Sequence, residues 1–307
     1  MICEAAPAKI NLWLHVGPVR ADGLHAIESL FVFAEDGDVV SAAPARELTL
    51  AVEGPFASAL SGFPVENNLV FKAAALLKKT ARVKQGAALT LDKRLPVAAG
   101  IGGGSADAAA ALRALVRLWR VDISEAMLAR LAFSLGADVP ACLARAPVYV
   151  GGAGEVLAPG PTLPPLWACL VNPGVETPTG PVFRAFDLEN PAPAAPLRLR
   201  PSRLATLGDV KRAFAVSRND LEPYAAGRES IIGSARKFLA ESPGAIFSRM
   251  SGSGATVFAL YGNRPAAARA ARRAAAKGWW SLAAKIAPGG VAPGAPAATS
   301  DAIGDRT

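Results

Sequence analysis

A run of four glycines within residues 100–104, followed by Ser105, constrains this chain more than any other feature. From Ala106 to Trp119, apolar residues recur at intervals of three and four, which predicts a helix that starts at Ala106, where the glycines stop. Glycines leave backbone N–H groups uncovered beside the positive end of the helix dipole, and this makes an anion site. A strand-to-helix turn alone needs only one or two glycines. Four of them therefore favour a phosphate ligand.

The sequence lacks the motifs of several known classes of phosphate-binding loop. The Walker pattern G-x-x-x-x-G-K-[ST] does not occur, and position 105 is serine where the dinucleotide fingerprint G-x-G-x-x-G needs glycine. The protein-kinase signatures H-R-D and D-F-G are also missing. The glycine loop alone thus indicates a phosphate site and does not fix its class.

Residues 8–16 alternate with a period of two, which predicts a half-buried strand. One face is apolar, and the other carries Lys9, Asn11, Trp13 and His15. A cation, an amide, an indole and an imidazole in one row resemble the wall of a site, with the decoration of an edge strand as the alternative. For His15 we expect burial against its neighbours rather than catalysis.

Phosphoryl transfer to an alcohol needs a base or anchor at the hydroxyl, positive charge near the transferred group and cradled phosphates. Lys9 and Asp138 are chemically suited to the first two tasks, although each alone would more often be a surface charge. Asp138 follows a helix predicted at 124–135. A second glycine loop, at residues 251–254, precedes a predicted strand and could approach a ligand, with a plain turn as the alternative.

The order of predicted elements indicates an α+β protein of two domains, without a regular βαβ alternation. A proline-rich stretch at 159–165 marks the boundary, so we expect an N-terminal domain at 1–158 and a smaller C-terminal domain at 159–287. Residues 190–196 are predicted to form a surface excursion. Residues 288–307 are rich in Gly, Ala, Pro and Ser and are predicted to be a disordered tail.

Composition limits the kinds of protein that this chain can be. Since 51% of the residues are hydrophobic and 19% are charged, the chain can bury a core without a disulfide or metal staple. Its three cysteines form no C-x-x-C pair and no basic run precedes an apolar stretch at the N-terminus, which together favour a cytoplasmic protein. The longest uncharged run, 156–175, contains five prolines and could not span lipid as a helix.

The net charge of +8 suits anionic ligands, which include both nucleotides and nucleic acids. No aromatic stacking set is interleaved with the densest basic stretch, at 269–277. We therefore expect small-molecule partners and neither a nucleic acid nor a membrane. The predicted assembly is a monomer or a homodimer.

Spaced motifs identify a resemblance to the superfamily of galactokinase, homoserine kinase, mevalonate kinase and phosphomevalonate kinase. They are P-A-K-I-N-L at 7–12, L-P followed by the glycine loop at 95–109, L-G-A-D-V-P at 135–140 and S-G-S-G at 251–254. Further segments are similar to those of the 4-diphosphocytidyl-2-C-methyl-D-erythritol kinases of the non-mevalonate isoprenoid pathway. They are R-A-D-G-L-H at 20–25, D-K-R-L-P at 92–96, R-N-D-L-E-P at 218–223 and R-M-S-G at 249–252.

The resemblance implies a two-domain fold with the active site in the cleft between an N-terminal nucleotide-binding domain and a C-terminal domain. It implies ATP-dependent phosphorylation of the 2-hydroxyl of 4-diphosphocytidyl-2-C-methyl-D-erythritol. Another alcohol kinase of the superfamily, of the homoserine or mevalonate type, is the alternative. His25 and Phe183 discriminate between them, because homoserine and mevalonate contain no base.

The resemblance also implies roles for individual residues. Asp138 would be the catalytic base or anchor for the acceptor hydroxyl, and Lys9 would polarise that hydroxyl. On the substrate side, Asn11 and Thr179 would bind the substrate, with Asn11 at its methylerythritol part. His25 would read the edge of the cytosine, and Phe183 would stack on this base.

For ATP, the resemblance implies a further set of residues. Asn68 and Lys93 would lie near the adenine. Pro96 would also bind ATP. The residues implied around the phosphates are Gly100, Gly102, Gly103, Gly104 and Ser105, with Ser251, Gly252 and Gly254 on the second loop. Magnesium is expected with ATP, but its ligands stay unassigned, since Gly103 and Ala106 offer no hydroxyl. The family commonly has an aromatic residue before the histidine, and this chain has Leu24 there.

Overall fold

The computed structural model describes residues 1–189, 198–201 and 204–288 of the chain. Its first half is built on a six-stranded sheet with the order β3-β4-β2-β5-β6, in which β1 also pairs with β2. The strands are β1 (Ile2–Val19), β2 (His25–Ala45), β3 (Leu48–Glu53), β4 (Gly86–Asp92), β5 (Val148–Gly152) and β6 (Val156–Pro159). The β3–β4 pair is parallel and the other pairs are antiparallel. The helices of this half are α1 (Leu69–Thr80), α2 (Gly103–Trp119), α3 (Glu125–Leu135) and α4 (Val139–Ala144). The sheet is contacted by α1, α2 and α4, and α3 packs on these helices.

The second half is built on a four-stranded antiparallel sheet with the order β10-β7-β9-β8. Its strands are β7 (Trp167–Asn172), β8 (Ala245–Met250), β9 (Val257–Tyr261) and β10 (Trp280–Lys285). The helices are α5 (Thr179–Glu189), α6 (Leu207–Ala215), α7 (Glu222–Arg228), α8 (Ser230–Ala240) and α9 (Arg264–Ala275). Two largely antiparallel sheets packed with helices, without a regular βαβ alternation, confirm the α+β prediction.

Helix α2 lies directly against the first sheet because alanines form its inner surface. Ala108, Ala109 and Ala111 are fully buried in the same core cluster as Phe31 and Leu89 of the sheet. Small side chains let the helix approach the strands closely. The glycine loop at the start of α2 is therefore held against the sheet rather than projecting into solvent.

Polar residues mark where the helices begin, as the sequence predicts. Asn68 precedes α1 and accepts a hydrogen bond from the backbone N–H of Val70 at 2.9 Å. Ser124 accepts one from Met127 at the start of α3. Such caps satisfy backbone donors that have no partner inside the helix. In the sequence, Asn67-Asn68 followed by apolar residues at helical spacing predicts a capped helix through Lys79, and α1 confirms it.

The two halves share a core along β1 and β2. Ile10 and Leu12 belong to one buried cluster with Leu170 and Phe258 of the second sheet. Arg249, on β8, donates from Nη1 to the backbone oxygen of Leu12 at 2.9 Å. These contacts join the halves into one packed unit, so a cavity between them has fixed walls.

The chain passes from the first sheet to the second between Pro159 and Trp167, in the proline-rich stretch. Helix α2 starts at Gly103, three residues before the predicted position at Ala106, because the last glycines adopt the helical conformation. Asp138 directly precedes α4, a short helix that the sequence analysis did not predict. The predicted excursion at 190–196 and the predicted tail, apart from its first residue, lie outside the described residues.

A β-bulge interrupts the alternation that the sequence shows in β1. Asn11 is opposite Phe31 while Trp13 is opposite Leu30, so one residue of β1 has no counterpart between them. Trp13 consequently turns into the core shared by the two halves, where it is fully buried. Lys9 and Asn11 are left as the polar residues of the site wall. His15 is fully buried, as expected.

None of the helices in the described ranges combines the length and the apolar character needed to cross a membrane.

Candidate active site

A cavity of about 820 Å³ opens between the two halves and collects most of the residues that the sequence singles out. Its wall is formed by β1, the glycine loop, the residue before α4 and the first turns of α5. The predicted residues on this wall are Lys9, Asn11, His25, Asn68, Lys93, Pro96, Gly100, Gly102, Gly103, Gly104, Ser105, Asp138, Thr179, Phe183 and Gly252. Ser251 and Gly254 are buried and lie outside the wall.

The glycine loop needs its glycines for backbone reasons at two positions. Gly100 has φ +73° and Gly102 has φ +63°, in the left-handed region that side chains disfavour. A Cβ on Gly100 would lie 2.5 Å from the backbone oxygen of Ser251, and one on Gly102 would lie 3.0 Å from Cε of Lys9. The loop is thus closely packed on one side and leaves its N–H groups at the start of α2 for an anion on the other.

The second glycine loop holds the first one in place. The hydroxyl of Ser251 donates to the backbone oxygen of Gly100 at 3.0 Å and accepts from the backbone N–H of Asn11 at 3.1 Å. Next to it, Gly252 reaches the cavity wall. Of the three residues expected near the phosphates, Ser251 and Gly254 therefore support the loop from behind.

One lysine–carboxylate pair faces the cavity. The ammonium group of Lys9 lies 3.1 Å from Oδ2 of Asp138 and donates to Oδ1 of Asn11 at 2.7 Å. It also lies 4.4 Å from the ring centre of Phe31, in a cation–π contact. The side chain of Lys9 is 5% exposed, whereas that of Asp138 is 32% exposed. The amine is therefore fixed, and the carboxylate is open to a ligand hydroxyl.

A second lysine–carboxylate cluster is sealed beside the glycine loop. Lys93 donates to Asp38 at 2.5 Å and to Asp107 at 2.8 Å, and all three residues are buried. Burial lowers the pKa of Lys93, but the two carboxylates outweigh burial and the pKa is raised. Burial raises the pKa of the Asp107 carboxyl to about 7, against the attraction of Lys93 and with help from the charge of Asp38.

This cluster limits what Lys93 can offer to a nucleotide. An ammonium group has three donors, and two of them are taken by Asp38 and Asp107. Asn68 is also partly engaged, because its side-chain oxygen caps α1. Both residues reach the cavity wall, as the resemblance implies, but each has only part of its hydrogen-bonding capacity left for a ligand.

Sequence reasoning missed Asp107, although the sequence carries a signal for it. It is the only acidic residue within 93–121 and stands in an alanine-rich helix. In the structure it reaches the cavity wall, and its Oδ1 is buried without a hydrogen-bond partner among the described residues. Thr177 is a second missed wall residue, and its hydroxyl likewise has no partner in the described part of the chain.

At the other end of the cavity, two aromatic rings lie together. His25 and Phe183 have ring centres 5.0 Å apart and planes inclined by 29°. A base between them would need about 7 Å, which is two van der Waals contacts of about 3.5 Å. The gap between these two rings is therefore too small for a base. Leu24 lines the same cavity and is 53% exposed.

Comparison with known proteins places the chain in a family. The model of the GHMP kinases N terminal domain matches residues 68–145, and that of the GHMP kinases C terminal domain matches residues 197–278. The 4-diphosphocytidyl-2-C-methyl-D-erythritol kinase of Paramagnetospirillum magneticum is 49% identical over 92% of this chain and 97% of its own length. That of Parvibaculum lavamentivorans is 48% identical over 91% and 96%. The chain belongs to the 4-diphosphocytidyl-2-C-methyl-D-erythritol kinase family.

Solved structures agree with this family assignment. A crystal structure of a 4-(cytidine 5'-diphospho)-2C-methyl-D-erythritol kinase superposes with a TM-score of 0.76 and 32% identity, covering 94% of this chain and all (100%) of that one. Homoserine kinase from Cytophaga hutchinsonii gives a TM-score of 0.68 at 18% identity over 94% of this chain and 95% of its own, which shows a common fold. The predicted two-domain GHMP-kinase fold is thereby confirmed.

Proposed function

We propose that this family member transfers the γ-phosphoryl group of ATP to the 2-hydroxyl of 4-diphosphocytidyl-2-C-methyl-D-erythritol. One observation carries the proposal. A single cavity joins the glycine loop, the Lys9–Asp138 pair and the aromatic end at His25 and Phe183. A phosphate donor, an acceptor hydroxyl and a nucleobase can therefore be bound side by side. The names of the relatives, all kinases of this substrate, agree with it.

Asp138 is the group that receives the acceptor hydroxyl. Its carboxylate accepts the hydrogen bond of the hydroxyl and takes up its proton as the oxygen bonds to the γ-phosphorus. The bond between the γ-phosphorus and the β,γ-bridging oxygen breaks, and ADP leaves. Lys9 lies beside the reacting oxygen and stabilises the negative charge on the transferred group. Because Asn11 and Phe31 hold its ammonium group, Lys9 needs no rearrangement during the reaction.

The nucleotide site is proposed at the glycine loop. The N–H groups at the start of α2 would bind the phosphates, with Gly100 to Gly104 and Ser105 around them. Asn68, Lys93 and Pro96 line the cavity next to this loop and would contact the base and sugar. The glycine loop carries no lysine, so the charge of Lys9 and a metal ion are the means of neutralising the phosphates.

Magnesium fits this site as an ion that is delivered with the nucleotide. The described residues contain no cluster of three or more histidine, cysteine or acidic side chains that could hold a metal by themselves. Magnesium commonly takes one or two protein ligands together with the phosphates. Ser105 lines the cavity at the glycine loop, and its hydroxyl would be such a ligand. The bound ion would neutralise charge on the phosphates.

The acceptor is proposed to lie along α5 and β1. Asn11 and Thr179 would hold the methylerythritol part near Lys9. Thr179 is kept in place by a hydrogen bond of 3.0 Å between its hydroxyl and that of Ser253. The cytosine would stack on Phe183, with His25 next to it.

Domain limits, location and assembly complete the proposal. We place the domains at 1–158 and 159–287, since β6 ends at Pro159 and β7 begins at Trp167. Cys3, Cys142 and Cys169 are all free, which is consistent with the reducing cytoplasm. We expect a monomer or a homodimer. Light scattering in solution would distinguish the two.

An enzyme-coupled assay of ADP release tests the function. ADP should form with ATP and 4-diphosphocytidyl-2-C-methyl-D-erythritol together, and neither homoserine nor mevalonate should replace the cytidine-linked alcohol. The product should carry the new phosphate on the 2-hydroxyl, as phosphorus NMR would show. Turnover of homoserine or mevalonate at a similar rate would overturn the proposed acceptor.

A further inference from the structure

One arginine of α2 bridges two other elements of the first half. The guanidinium group of Arg113 donates from Nη2 to the backbone oxygen of Ala5 on β1 at 2.7 Å, and from Nη1 to the backbone oxygen of Cys142 on α4 at 3.0 Å. Its Nε donates to Oε2 of Glu4 at 3.1 Å. The side chain of Arg113 is 13% exposed, and it does not line the cavity. The bridge therefore lies behind the site and not in it.

The two ends of this bridge lie close in sequence to the lysine–carboxylate pair of the cavity. On β1, Ala5 comes four residues before Lys9. On α4, Cys142 comes four residues after Asp138, and its N–H donates to the backbone oxygen of Asp138 at 3.1 Å. Within the described residues, no backbone hydrogen bond joins β1 to α4. The Lys9–Asp138 ion pair and the Arg113 bridge are thus two polar links between the same two elements.

The bridge also satisfies the end of a very short helix. Helix α4 spans only Val139–Ala144, and the carbonyl of Cys142 is among the last four, which have no partner inside the helix. A basic group at this end is favoured by the helix dipole as well. Because α4 is little more than one turn long, its orientation depends on such contacts more than on its own backbone. A change at its end is therefore passed on to Asp138 at its start.

Glu4 fixes the guanidinium group from the other side. Burial raises the pKa of Glu4, but hydrogen bonds from Arg117 and Arg113 outweigh burial and the pKa is lowered. Glu4 is therefore an ionised partner at neutral pH. Arg117 lies one turn further along α2 and donates to Oε1 of Glu4 at 2.6 Å. In the described part of the chain, the side chain of Arg117 hydrogen-bonds to Glu4 alone, so it takes no part in the bridge.

We propose that Arg113 is a positioning residue for phosphoryl transfer, which holds Asp138 against Lys9 by bridging β1 and α4. This inference rests on the proposed function, since that function places the acceptor hydroxyl at this pair. Arg113 touches neither substrate, and its effect is on the distance between the two reacting side chains. A displacement of about 1 Å in a catalytic constellation can cost about 10²-fold in rate.

Arg113→Lys tests the role with the charge retained. A single ammonium nitrogen cannot take the places of Nη1 and Nη2, so the fork that spans the two carbonyls is lost. We expect kcat to fall by about 10- to 100-fold, while the Kd of a non-hydrolysable ATP analogue changes by less than about twofold. Arg113→Gln, which is shorter and cannot span both carbonyls, is the second variant and should show the same split. An unchanged kcat in both variants would overturn the inference.

Arg117→Lys is the matched control, because it makes the same change on the same helix at a partner of the same carboxylate. Its kcat should stay at the wild-type value, and an equal fall in this variant would contradict the inference. Circular dichroism melting curves show whether each variant is folded at the assay temperature. The control thus separates the bridge from the general effect of weakening the contacts of Glu4.

A double-mutant cycle shows whether Arg113 acts through Asp138. In the Asp138→Asn background, Arg113→Lys should lower kcat by less than about twofold further, because the group that it positions is already disabled. A merely structural loss would act independently, and the full fall would then appear again in this background. That result would overturn the inference.

Crystal structures of the wild type and Arg113→Lys test the inference without turnover. The distance between Nζ of Lys9 and Oδ2 of Asp138 is 3.1 Å and should lengthen by about 1 Å in the variant. An unchanged distance would overturn the inference. A wild type that does not phosphorylate the cytidine-linked alcohol contradicts the proposed function instead, and the distance still shows whether Arg113 positions the pair.

Discussion

Two lysine–carboxylate groups flank the glycine loop, and they differ in which member meets the cavity. Lys9 pairs with one carboxylate and a neutral amide, and its partner Asp138 is 32% exposed. Lys93 pairs with two carboxylates, Asp38 and Asp107, which are 0% and 5% exposed. In the first group a carboxylate is available to a ligand, and in the second two buried carboxylates share one buried cation.

This difference in exposure indicates a chemical role for the Lys9–Asp138 pair and a structural role for the Lys93 cluster. A buried charge cluster loses much of its Coulomb gain to desolvation, and the removal of one member leaves an uncompensated charge. The Lys93 group should therefore affect stability. The Lys9–Asp138 pair should contribute less to stability, because Asp138 is partly exposed to solvent. A substrate hydroxyl can replace this solvent at the carboxylate. Four substitutions test this division.

The largest effect is expected for Asp138→Asn. The amide keeps the shape but cannot take up the hydroxyl proton, so kcat should fall by roughly 10²- to 10⁴-fold. The free energy of unfolding should fall by less than about 3 kcal/mol, because Asn11 and Phe31 still hold the buried ammonium group of Lys9. Steady-state kinetics and urea titration measure the two quantities on the same preparation. Turnover near the wild-type rate would eliminate the role as base or anchor.

Lys93→Met should act in the opposite way, on stability. It leaves Asp38 and Asp107 buried without a cation, and the free energy of unfolding should fall by about 3–5 kcal/mol. Lys72→Met, at an exposed position of α1, is the control and should change it by less than about 0.5 kcal/mol. Urea titration followed by circular dichroism gives both values. A Lys93→Met protein as stable as the control would contradict the structural role.

Lys9→Met should lower kcat by roughly 10²- to 10³-fold, since the missing charge acts on the transferred phosphoryl group in the transition state. The Kd for ATP should change much less. Single-turnover kinetics and titration with a non-hydrolysable ATP analogue measure the two separately. Loss of ATP binding with an unchanged rate at saturation would show that Lys9 serves the nucleotide ground state instead.

The effect of Asp107→Asn should appear in the pH dependence of stability. The pKa of Asp107 is raised to about 7 in the folded protein, mainly by burial. Its stabilising contribution is thus complete below the unfolded pKa of about 3.9 and is lost as pH rises through 7, by up to about 1.4 kcal/mol per pH unit. The wild-type minus Asp107→Asn difference in unfolding free energy should fall between pH 4 and 7. A pH-independent difference would show that Asp107 stays ionised.

Local features of the site could be predicted from the sequence. The glycine loop, the helix behind it and the cap at Asn68 depend on backbone conformation and nearest neighbours, which short segments encode. Long-range pairs could not be predicted in this way. Lys93 finds Asp38 from 55 residues away, and His25 meets Asp187 only because α5 packs near the end of β1.

The orientation of Trp13 could not be predicted from the pattern of its own strand either. Strict alternation in residues 8–16 predicts that Trp13 shares a face with Lys9 and Asn11. The bulge after Asn11 breaks the pairing with β2 and sends the indole into the core. A bulge is set by the partner strand and by the space available to a large ring, and the periodicity of one strand carries no information on either.

The sequence by itself determined that this chain has a phosphate-binding loop, an α+β architecture and the motifs of its kinase family, because glycine conformation, helical periodicity and motif spacing are local properties. Only the tertiary structure decided how Lys9, Lys93 and their carboxylates are paired and which of them reach the cavity. Those outcomes depend on burial and on contacts across β1, α2 and α5, which arise only when the two halves pack together.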